Sequence, residues 1–142
     1  MATNTFDPPS TDRFPFVRRD QLNAEAQAIW DKRCAAVNAI GLGGHFNVMM
    51  ISPKLCEAVS ELEGYFRFHS VLSKHDREFI TIVVLRKASA RYAWARHEQR
   101  AILDGVPAEV VEQIRMEAPT DAIPAAYRDM TEFARALAYS KE

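Results

Sequence analysis

Apolar and polar positions alternate along most of this chain with the three- and four-residue steps of helices, and nowhere with the two-residue step of a strand. Ala26, Ile29, Trp30, Arg33 and Val37 share one such stripe, which predicts a helix from about Asn23, a suitable cap, to Val37. The glycine-rich stretch Gly41-Leu42-Gly43-Gly44-His45 interrupts it, and a short helical turn is expected from Asn47 to Ile51. Ser52 followed by Pro53 then reads as a cap and first helical residue. The helix they open carries Leu55, Val59, Leu62 and Phe66 as its expected core stripe and continues to His69, with Gly64 as its weak point. Ser73 and Asp76 have the spacing of a capping arrangement at the head of a strongly apolar helix that ends near Ala88. A fifth helix runs through His97 to Asp104 and stops at Gly105, a short one follows Pro107 as far as Met116, and a last amphipathic one begins at Pro124. Its apolar face is Tyr127, Met130, Phe133, Ala134 and Leu137. The expected fold is an all-α bundle.

The apolar helix holds one residue out of character. Glu78 stands at the head of Phe79-Ile80-Thr81-Ile82-Val83-Val84-Leu85, on a face with Ile82 and Leu85, where an unpaired carboxylate is costly. A partner is therefore expected. On the next helix Ala90, Ala93, Trp94 and His97 lie on one side, with Tyr92 off that stripe. A carboxyl group whose pKa is raised by burial, beside an imidazole, makes a plausible proton-transfer pair. Glu78 and His97 are thus the candidate acid/base residues.

These segments resemble the carboxymuconolactone decarboxylase family, which includes the AhpD-like alkylhydroperoxidases. The resemblance runs from about Phe14 to the C-terminus. It rests on Ser52-Pro53-Lys54-Leu55, on Arg77-Glu78 before an apolar helix, on Tyr92-Ala93-Trp94-Ala95-Arg96-His97, and on Gly105-Val106-Pro107-Ala108-Glu109. The redox branch carries a Cys-x-x-Cys-x-x-x-His signature whose cysteines, registered on His97, fall at Ala90 and Ala93. The decarboxylating branch commonly has Tyr/Phe-Glu-Trp-x-x-His, which this chain follows with Ala93 in place of the glutamate. The resemblance implies an AhpD-like helical bundle over residues 14–142 behind a flexible arm of residues 1–13, assembled as a trimer or hexamer with sites near subunit contacts. It also implies a cofactor-free lyase acting on a small carboxylated or enolisable lactone-type compound from aromatic degradation. His97 would be the acid, Glu78 its relay or orienting group, and Tyr92 a stabiliser of negative charge. Trp94, Arg96, His45 and His69 would contact the substrate. The alternatives are a non-catalytic oligomeric protein that binds a small molecule, favoured by Ala93, and an AhpD-like peroxidase.

Composition narrows the partners. With 142 residues and 48% hydrophobic content the chain suffices for one domain that buries roughly two thirds of its unfolded surface. A net charge of −1, with no large Lys/Arg cluster, gives no field to gather nucleic acid or an anionic membrane surface. No apolar run approaches the roughly 20 residues of a membrane span, and residues 1–13 lack the apolar core of a signal peptide, so a soluble cytoplasmic protein is expected. No histidine and acid pair has metal-ligand spacing, so no metal is expected. Cys34 and Cys56 are isolated and fit packing better than redox chemistry. The purified protein is accordingly expected to show no thiol-dependent turnover of an organic hydroperoxide. Turnover that disappears when both cysteines are changed to serine would reverse that expectation.

Overall fold

The computed structural model describes residues 14–138, so the expected arm of residues 1–13 lies outside the described residues. Among these the regular structure is entirely helical, with seven α-helices and two short 3-10 turns. The chain divides into two compact units, residues 1–69 and 70–142. Where length and composition led to the expectation of a single core, the buried residues form two clusters, one in each unit.

The first unit contains a 3-10 turn at Arg19–Gln21 and helices α1 (Ala24–Ala36), α2 (Gly44–Met49) and α3 (Pro53–Phe68). The side chain of Asn23 caps α1 by accepting from the Ala26 amide at 2.9 Å, as its sequence position suggested. Buried Asn47 acts as a pin. Its Nδ2 donates to the carbonyls of Val17 at 2.8 Å and Leu42 at 3.2 Å, and its Oδ1 accepts from the Val17 amide at 3.0 Å. That pin holds the entering chain and the glycine-rich loop to α2, which starts at Gly44 and so takes in His45. Ala26, Ile29, Trp30, Cys34, Leu42, Phe46, Met50 and Cys56 form the core. On α3 the expected stripe is corrected: Leu55, Leu62 and Phe66 are exposed, and Cys56 is the buried residue. The side of α3 that meets α1 carries Glu57 and Glu61, which pair with Lys32, and Glu63, which pairs with Arg33. Apolar spacing alone does not say which of two helix faces looks inward: here the inner one holds Cys56 with Val59 packed beside it, and the Lys32 ion pairs stand at its exposed edge.

The second unit contains α4 (Lys74–Lys87), α5 (Arg91–Leu103), α6 (Ala108–Arg115), a 3-10 turn at Thr120–Ala122 and α7 (Ala125–Ala138). Ser73 caps α4 by accepting from the Asp76 amide at 3.0 Å, and its hydroxyl donates to the Asp76 carboxylate at 2.8 Å. α4 is the central element, packing against α5, α6 and α7. Its all-round apolar sequence follows from that position. Phe79, Ile82 and Val83 join Ala101, Val106, Val110, Val111, Ile114, Ile123 and Ala134 in the core. Gly105 ends α5 at φ +98°, a left-handed conformation that a side chain would strain. On α7, Thr131 and Ala134 are buried, whereas Phe133 and Leu137 of the expected apolar face are exposed.

Phe79 is fully buried at the junction of α4 with its neighbours. Phe79→Ala is expected to destabilise the protein by about 3–5 kcal/mol, and Ser73→Ala by about 1 kcal/mol. Urea unfolding monitored by far-UV circular dichroism measures both, and equal small losses would mean that α4 is not the core element.

Candidate functional site

Glu78 lies in the second turn of α4, among the side chains that this helix buries, and its side chain is 5% exposed. The facing helix α5 brings His97 to it. Nδ1 of His97 lies 2.7 Å from Glu78 Oε2, and the imidazole is 29% exposed. A carboxylate can only accept, so Nδ1–H donates, and in a neutral ring the lone pair then falls on Nε2. No hydrogen bond to Nε2 is found among the described residues. The arrangement offers one ring nitrogen for proton exchange while the other is held by a buried anion.

The electrostatics differ from the expected ones in sign. Burial pushes the Glu78 carboxyl up, but the hydrogen bond from His97, the charge of His97, and the nearby Arg100 and Arg77 together outweigh it, and its pKa is lowered. Arg77 Nε stands 3.9 Å from Glu78 Oε1. The shift favours the ionised form of Glu78 over the neutral acid that burial alone suggests. Arg77 adjoins Glu78 in sequence and Arg100 follows His97 by three residues, so the helical spacing held a signal for both cations.

The other candidate residues are placed as follows. Trp94 is half-buried against the core, and its indole Nε1 donates to Glu98 Oε2 at 2.6 Å, so its polar edge is already engaged. Tyr92 and Arg96 are exposed on α5. His45 and His69 belong to the first unit: His45 rests against the Phe46 ring with centroids 4.4 Å apart, and His69 is the exposed C-cap of α3. No group of three or more His, Cys, Asp or Glu side chains suited to a metal ion occurs among the described residues.

Ala90 is the N-cap of α5 and makes no side-chain cap, while Ala93 follows in the first turn. A cleft of about 400 Å³ opens beside this helix start. Ala90, Trp94, Glu98, Arg86, Arg91 and Arg115 are in its walls; His97 and Ala93 are not among its lining residues. Arg115 shares Glu98 Oε2 with the indole, at 2.7 Å, and Arg86 Nε donates to the Arg115 carbonyl at 2.7 Å.

One polar chain went unread in the sequence. His75 is part-buried: its Nδ1 lies 2.9 Å from Asp76 Oδ1 and its Nε2 3.0 Å from the Tyr127 hydroxyl. Ser73, Asp76, His75 and Tyr127 thus form a continuous relay from the cap of α4 to α7. The partner sits 52 residues away, so no local spacing could reveal it. Burial raises the Tyr127 pKa, with Asp76 and Glu109 adding to it, so its phenol is a donor rather than a ready nucleophile.

Burial also raises the thiols of Cys34 and Cys56, and both residues are buried. No helix among the described residues is long and apolar enough to cross a membrane. Comparison with protein-family models, with curated proteins and with solved structures found no match.

The lowered pKa of Glu78 fixes the sign of one pH effect. Its contribution to stability is fully present above the unfolded carboxyl value, about 4.3, and is lost as pH falls through the lower folded value. Glu78→Gln removes this linkage, so the stability of wild type and variant is expected to converge below about pH 4. Urea midpoints measured from pH 3 to pH 7 test this, and a gap that stays constant throughout would contradict it.

Proposed function

We propose that Glu78 and His97 are the acid/base pair of a cofactor-free enzyme of carboxymuconolactone decarboxylase type, acting on a small carboxylated or enolisable lactone-type compound. The observation that carries this reading is the 2.7 Å contact between the buried Glu78 carboxylate and Nδ1 of the part-exposed His97 ring. The quoted sequence segments and the all-helical second unit agree with the family resemblance. In this reading Glu78 fixes the ring so that Nε2 meets the substrate. Cleavage of the bond to the leaving carboxylate sends its electron pair into the conjugated carbonyl, giving carbon dioxide and an enolate. The protonated His97 then delivers Nε2–H to carbon, and solvent returns the proton. Tyr92 and Arg96 are the groups this reading assigns to the developing negative charge, with Trp94 as a wall.

A homo-oligomer belongs to the same proposal. Phe133 and Leu137 on α7, and Leu62 and Phe66 on α3, are large apolar side chains left exposed, the kind of surface that association covers. A second reading, a non-catalytic binding protein, is supported by Ala93 and by the cleft beside Ala90, whose lining does not include His97. The thiol peroxidase reading has the least support, since its two cysteine positions carry alanine and both thiols present are buried.

The test is a double-mutant cycle on the substrate found by screening lactones and keto acids. Glu78→Gln and His97→Asn are each expected to lower kcat by about 10²-fold or more, with the double variant losing little beyond the worse single one. Additive losses would separate their roles, and full activity in His97→Asn would end the proposal.

A further inference from the structure

The arginines of the second unit divide by what engages them. Arg86 and Arg115 pair with Glu117 and Glu98, and Arg128 and Arg135 bond the carbonyls of the turn before α7. Those on α5 differ. Arg91, Arg96 and Arg100 are exposed, and no hydrogen bond or ion pair engages their side chains among the described residues.

Their places around the helix separate them. At 3.6 residues per turn, Arg100 lies about 60° around α5 from His97, whereas Arg96 lies about 100° and Arg91 about 120° away. Residues three apart are neighbours on a helix surface, and adjacent ones are not. Arg100 is therefore the arginine beside His97 on the side that meets α4. Its charge, with that of Arg77, reaches the buried Glu78 and helps to hold that carboxyl's pKa down. Yet Arg100 makes no ion pair with Glu78, whose Oε2 is taken by His97 and whose Oε1 is faced by Arg77 at 3.9 Å. A guanidinium with its donors free thus stands one turn from an imidazole whose Nε2 has no hydrogen bond among the described residues.

We propose that Arg100 anchors a carboxylate of the substrate beside Nε2 of His97, and so selects compounds that carry a carboxylate in addition to the reacting group. This rests on the acid/base reading of Glu78 and His97. The anchored carboxylate is one that the reaction retains. A cation bonded to the departing carboxylate would stabilise it more in the ground state than in the transition state, where its charge has moved into the carbonyl. Guanidinium holds carboxylate by two parallel N–H···O bonds, which fix direction as well as position.

The probe is levulinate, a keto acid whose carboxylate is not placed to leave, with methyl levulinate as its uncharged counterpart. Titration of the full chain is expected to move the NMR signals of the His97 ring saturably, with the ester binding at least about ten-fold more weakly. Arg100→Gln is expected to weaken levulinate by at least about ten-fold and to leave the ester unchanged. Arg91→Gln removes the same charge from the same helix and is expected to keep levulinate affinity within about two-fold. Circular dichroism of both variants is expected to match wild type, since both side chains are exposed without partners among the described residues. Equal affinity for acid and ester, undiminished levulinate binding in Arg100→Gln, an equal loss in Arg91→Gln, or no saturable shift of the His97 signals would each overturn the anchor. The two readings fail separately, because full activity in His97→Asn ends the acid/base assignment whereas the levulinate titration needs no turnover.

Discussion

An ionised carboxylate inside an apolar helix is the constraint around which the second unit is arranged. Glu78 is followed by Phe79, Ile82 and Val83, which are core residues, so the helix cannot rotate to expose the carboxylate without exposing them too. Leaving such a group unpaired would cost several kcal/mol, and His97 on α5 compensates it with a hydrogen bond. α5 therefore has to pass α4 at a fixed height and rotation. The contact positions a helix as much as it positions a ring.

The same helix is tied at its first turn by a second histidine. His75 connects Asp76, and through it the Ser73 cap, to Tyr127 of α7. Two imidazoles thus bind α4 to different neighbours: His75, on α4 itself, to α7, and His97 from α5. These polar contacts are directional where packing of Ile and Val side chains is not. They select one register among several that would bury similar apolar area.

Local signals in the sequence were read correctly where the physics is local. Asn23 and Ser73 cap the helices they precede, and Gly105 stops α5, because a cap or a left-handed residue acts within one turn, whereas Ser52 stands at the expected N-cap of α3 but makes no side-chain capping bond. The closeness of Glu78 and His97 was also legible, since a buried carboxylate on one helix needs a partner and the next helix offered an imidazole. The direction of the Glu78 shift was not, because it depends on how many cations gather around it in three dimensions. The inward face of α3 was misread for a related reason. Leu55, Leu62 and Phe66 form a better apolar stripe than the side carrying Cys56, but it is Cys56 that the first-unit core buries, with Val59 packed against it and Arg33 of α1 paired with Glu63. The Tyr127 partner of His75 depends on tertiary approach, which a one-dimensional pattern does not encode.

The turn between α6 and α7 is held by the helix it introduces. Arg128 donates through Nε to the Ile123 carbonyl at 2.7 Å and through Nη2 to the Asp121 carbonyl at 2.8 Å. One and a half to two turns further along the helix, Arg135 reaches the Ala118 carbonyl at 2.9 Å. The carbonyls that a loop normally leaves to water are thereby bonded to side chains of α7, and those side chains are in place only when α7 is helical. Turn and helix form a single cooperative segment. Bending the turn breaks the arginine bonds, and melting α7 releases the turn.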